Sequence, residues 1–109
     1  MSRSPARLAI VILAAAAGAA PSYASSPDAW DEFRQEVEQK CAALAEGRIQ
    51  QPKIVVDPFG TESYGVAILT GKAVGSETVV SSICVYDKKS QVAEISGELP
   101  ADQVTITVP

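Results

Sequence analysis

From residue 27 to residue 47 the large apolar side chains fall at Trp30, Phe33, Val37, Cys41 and Leu44, at spacings of three and four. That spacing lays all five on one stripe of an α-helix. Asp28, Asp31, Glu32, Gln35, Glu36, Glu38 and Gln39 occupy the opposite side. The start is written in Ser25-Ser26-Pro27-Asp28: a serine for the N-cap, a proline suited to the first turn, and acids where the helix dipole favours them. Gly47 predicts the stop. An aromatic and aliphatic stripe of this kind is expected to face a core.

After Gly47 the period drops to two, and β-rich runs alternate with turn signals. The pattern predicts strands over 53–57, 63–71, 78–87, 91–97 and 103–108. Asp57-Pro58-Phe59-Gly60 matches a type I turn, with Asp first, Pro second and Gly fourth. Asp87-Lys88-Lys89-Ser90 reads as a solvated hairpin tip. Connections this short hold no crossover helix, so neighbouring strands should pair antiparallel as a meander. The expected fold class is α+β: one N-terminal helix packed on a curved antiparallel sheet of four to five strands. In outline this layout is similar to cystatin-like and other small inhibitor folds, without a shared sequence motif.

Strand parity adds a constraint. In the third run Val80, Cys84 and Tyr86 share one face, while Val79, Ile83 and Val85 share the other. If Cys84 bonds Cys41, the first set looks toward the helix and the second is left over. The second run is likewise apolar on both sides, with Tyr64, Val66 and Ile68 alternating with Ala67 and Leu69. One helix covers one face. The leftover face is therefore expected to meet a partner or second copy, to be covered by the last strand curling back, or simply to carry scattered exposed valines.

Composition changes the picture at the N-terminus. Of the 109 residues 47% are apolar, and residues 1–24 take far more than their share. Arg3 and Arg7 form a short basic region, 8–20 is apolar, and Ser22 and Ala24 are small residues at −3 and −1 of a cleavage site. This is the pattern of a Sec-type signal peptide. Thirteen residues of helix reach only about 20 Å, short of the roughly 30 Å a membrane span needs. The expected organisation is a leader over 1–24 and a single domain over 25–109, periplasmic or secreted and without a stable membrane anchor. Removing two of the nine basic residues while keeping all thirteen acids takes the net charge from −4 to −6. Nucleic acid is then an unfavourable partner and a cationic protein a favourable one. In an oxidising compartment the two cysteines, Cys41 and Cys84, are expected to form one disulfide, worth about 4 kcal/mol in the chain-entropy model.

Candidate chemistry is sparse. The sequence has no His and no Asn, which excludes His-based triads and His metal ligands. The glycines around Gly65 and Gly71-Lys72 have the wrong spacing for a phosphate loop and read as strand. No G-x-S-x-G or S-x-x-K is present. Carboxylate pairs such as Asp57 with Glu62, or Glu94 with Glu98, are the remaining catalytic option, and no metal or cofactor is expected. The turn around Phe59 stands out instead. An aromatic ring there either plugs the end of the sheet or anchors a partner. The expectation is a non-catalytic protein-binding module, inhibitor- or immunity-like, with Asp57, Phe59, Glu62 and Tyr64 as one recognition loop and Val79, Ile83 and Val85 as an apolar contact face. A small-ligand carrier and a weak carboxylate enzyme are the alternatives.

Overall fold

The computed structural model describes residues 26–107, so the leader and its cleavage site lie outside the described residues. A 19-residue helix, α1 (Pro27–Ala45), begins on Ser26, whose hydroxyl accepts the Ala29 N–H at 3.2 Å. Five strands follow: β1 (Ile49–Val56), β2 (Tyr64–Ala73), β3 (Val79–Asp87), β4 (Ala93–Ile95) and β5 (Leu99–Pro100). They form one antiparallel sheet in the order β1-β2-β3-β4, with β5 also pairing β3. The protein is therefore α+β, one helix on an antiparallel meander, as its periodicities predict. No helix among the described residues is long and apolar enough to cross a membrane.

The helix stripe needs one correction. Val37, Cys41 and Ala45 are buried, whereas Leu44 is 37% exposed. Val37 and Cys41 lie four apart, and continuing that row one turn leads to Ala45; three residues on, at Leu44, the side chain is carried to the flank. Below the helix lie Ile49, Ala67, Leu69, Val80, Cys84 and Tyr86, the inward residues of the first three strands. Gly65 lets α1 come close, because a Cβ there would stand 2.8 Å from a Val37 methyl and 3.0 Å from the Phe33 ring. At the centre of the seam Cys41 and Cys84, both fully buried, are joined by a disulfide with Cα atoms 5.9 Å apart.

Strand boundaries differ from the sequence pattern at both ends of the sheet. β1 begins four residues early, at Ile49, because the ladder survives Pro52 through a bulge: Gln50 pairs Lys72, Lys53 pairs Thr70, and Gln51 takes φ 40° between them. Bulge, proline and lysine together blunt this free edge against pairing with another chain. The predicted strand 103–108 does not form over its described part. After Pro100 the chain turns, with Gln103 and Val104 donating to the Pro100 carbonyl, and the outer edge of β3 is already taken by β4 and β5. The phosphate-loop lookalike lies within β2, as a strand.

The outer face has rows set by register. Val55, Ile68 and Ile83 form one row, and Val66, Val85 and Glu94 the next. Val55, Val79, Ile83 and Val85 are 37–43% exposed. Among the described residues, which run to 107, the C-terminal segment does not cover them. Ser81 is buried on this face, where its hydroxyl meets Thr70 at 2.8 Å and its backbone pairs Leu99.

Because the disulfide closes 43 positions at the seam, thiol titration of the denatured, unreduced protein should find no free sulfhydryl. Replacing both cysteines by alanine should cost about 2–5 kcal/mol and lower Tm by more than about 10 °C. Two reactive thiols per chain would refute the assignment.

Candidate functional site

The loop between β1 and β2 is built around Asp57. Its Oδ1 accepts the N–H groups of Phe59 (3.1 Å) and Gly60 (3.0 Å), so the side chain organises the turn. Those two bonds, Gly60 first, hold the Asp57 carboxyl below its ordinary 3.8, with the Lys88 charge adding to them. Gly60 sits at φ +72°, and a Cβ there would lie 2.2 Å from the Tyr64 carbonyl, so only glycine fits. The loop closes where Tyr64 donates to Thr61 Oγ1 (2.9 Å) and Thr61 N–H donates to Tyr64 O (2.7 Å).

Two cations tie this loop to the rest of the molecule. Arg34, on α1 and paired with Asp31, donates to Pro58 O at 3.2 Å. Lys88 donates to the carbonyls of Phe59 (2.9 Å) and Thr61 (2.6 Å). Its ammonium also stands 5.2 Å from the Phe33 ring centroid and 5.5 Å from that of Trp30, within cation–π range. Lys88 is thus a bracket between loop, helix and hairpin, which corrects the reading of it as a solvated tip. Asp87 Oδ1 accepts the N–H groups of Ser90 and Lys89, and these bonds, Ser90 first, lower its carboxyl from the ordinary value.

Phe59 remains 56% exposed, with one edge against Trp30 (centroids 5.0 Å, 90°). Trp30 meets Phe33, and Phe33 meets Tyr86, each edge-on, so four aromatic rings run from the loop tip to the core. Beside them lies a groove of about 270 Å³ lined by Trp30, Glu32, Phe33, Glu36, Tyr86, Lys88 and Gln91. Tyr86 Oη donates to Glu36, while Lys40 donates to Gln91 O and lies 5.6 Å from the Tyr86 ring. A second, shallower depression is lined by Glu62, Ser63, Tyr64, Asp87, Lys88 and Lys89. Lys88 borders both and separates them.

Asp57, Phe59, Glu62 and Tyr64 therefore share one end of the molecule. Tyr64 also heads the outer sheet face, on which Val85, Ile83 and Val79 follow along β3. Val79 is at the far end, so the candidate residues make two surfaces. Glu98 is paired with Arg48 at 3.3 Å, whereas Glu94 projects from the outer face. Among the described residues no cluster of three or more acidic or cysteine side chains is placed to hold a metal. Residue order alone does not bring Lys88, Glu36 and Gln91 beside Trp30 and Phe33. The signal available was the aromatic pair at the polar start of the stripe, over Gly65, where a strand has no side chain to meet a helix. Compared with known proteins, the chain matches no family model, no curated protein and no solved structure.

A depressed carboxyl pKa adds stability above its unfolded value, and that stability is lost as pH falls through the folded value. Asp57 should therefore hold the loop down to below pH 3.8. Trp30 is the only tryptophan, so its emission reports on the Phe59 contact. We expect an acid step with its midpoint under 3.8 that is absent in Asp57→Asn. A step centred above 3.8, or the same step in the variant, would show that Asp57 does not control the loop.

Proposed function

We propose that this chain is an exported, non-catalytic protein-binding module, inhibitor- or immunity-like, that works in the periplasm and engages its partner through the Phe59 end. The observation that carries this is a large aromatic ring held 56% exposed on a loop fixed by Asp57, Arg34 and Lys88. A ring serving only the fold gains most by burial, whereas a binder gains from an exposed anchor whose conformational entropy is already lost. The Asp57 carboxyl, spent on backbone N–H groups and held low, is poorly suited to proton transfer at neutral pH, which favours binding over carboxylate catalysis. The acidic balance favours a cationic partner by steering. The disulfide and the signal-peptide pattern favour an oxidising compartment.

The groove of about 270 Å³ beside Trp30 favours a second reading, a small-ligand carrier. An apolar ligand seated there would change Trp30 emission without any protein partner.

With an isolated partner, Phe59→Ala should weaken binding about thirtyfold, equivalent to about 2 kcal/mol, and leave Tm within a few degrees of the parent. A large fall in Tm with affinity intact would make the ring a plug of the fold and overturn the reading.

A further inference from the structure

The outer sheet face carries its own charge pattern. Its central row is Val55, Ile68 and Ile83. One row toward the Phe59 end come Val66 and Val85, flanked by Asp57 on the β1 side and Glu94 on β4. One row the other way come Lys53, Thr70 and Ser81. Beyond those, Lys72 and Val79 close one end, and Tyr64 and Asp87 the other. The face is thus basic at one end, acidic at the other and β-branched between. Lys53 is exposed and makes no ion pair among the described residues, while Lys72 is matched to Glu77 at 2.8 Å.

From this pattern we infer that the occupant of the outer face is a second copy of the chain, packed face to face about a two-fold axis that crosses the strands at the Val55–Ile68–Ile83 row. Such an axis lays that row on itself and exchanges the two ends. Lys53 of each copy then stands over Asp57 of the other, whose Oδ2 is not used in the turn. The other two-fold, parallel to the strands, would lay β1 over the partner's β4 and set Asp57 against Glu94, like charge on like. The distribution of charge therefore selects the crossing axis. Rows of Val and Ile on a face of paired strands suit the roughly 10 Å spacing and small angle of aligned sheet packing. An isologous contact also closes on itself, so it ends at the dimer. This interface borders the Phe59 end at Asp57 and Tyr64, but it is argued from the outer face alone and stands without the binding reading.

Sedimentation equilibrium of the oxidised protein, from the full chain as its host processes it, tests the inference. A concentration-dependent monomer–dimer equilibrium is expected, with Ile83→Lys monomeric. Lys53→Glu, an exposed edge change that spares the core, should raise the dimer Kd about tenfold, since two symmetric pairs become repulsive. Lys53→Arg should behave as the parent. A parent that stays monomeric at millimolar concentration overturns the inference, as does a dimer untouched by both Ile83→Lys and Lys53→Glu. If Ile83→Lys fails to fold, Lys53→Glu against Lys53→Arg decides alone.

Discussion

One helix can cover only one side of a sheet, and most of this structure follows from that constraint. A 19-residue α1 shelters the inward residues of β1, β2 and β3, with Ala93 and Ile95 of β4 packed at the margin, giving a core of nine buried apolar residues among the described residues. So small a core gains much from a covalent tie. The tie sits where helix and sheet approach, at Cys41 and Cys84. The same constraint leaves Val55, Val79, Ile83 and Val85 facing outward, so the apolar outer face is a direct result of the element count.

The constraint also shapes the end of the molecule near Phe59. Toward its N-terminus α1 carries rings in place of aliphatics, and the sheet beneath it answers with Gly65. The space is filled by an aromatic relay from Tyr86 through Phe33 and Trp30 to Phe59, bracketed by Lys88. Arg34 and Lys88 reach the loop through its backbone carbonyls, and Lys88 also meets ring faces. Of the loop's own side chains only Asp57 and Thr61 are spent on the turn, which leaves Phe59 and Glu62 available to other molecules.

Much of this could be read from residue order. Ser26, Pro27 and Gly47 mark the helix, alternation marks β2 and β3, and the parity of Cys84 against Val79, Ile83 and Val85 tells which face meets α1. The misreadings have local causes. Pro52 looks like a strand boundary, and only the bulge at Gln51 carries β1 past it. The alternating residues after Gln103 look like a strand, but a strand needs a vacant edge, and vacancy is a property of the whole sheet. Lys88 was opaque for a similar reason: beside Lys89 in a turn nothing distinguishes it, and its role depends on rings some 55 positions earlier in the chain.

The position of the disulfide in the chain has a mechanical consequence. If the chain is pulled from its two ends, tension entering at Ser26 runs along α1 to Cys41, crosses to Cys84 and leaves through the end of β3 and β4. The segment between the two cysteines, with β1, β2 and the Phe59 loop, is bypassed. A load on the termini would peel the first turns of α1 and the short β4 and β5 ladders while the β1–β2 pairing and the Asp57 turn carry no force through the backbone. The exposed ring is thus mounted on the part of the chain that stretching reaches last.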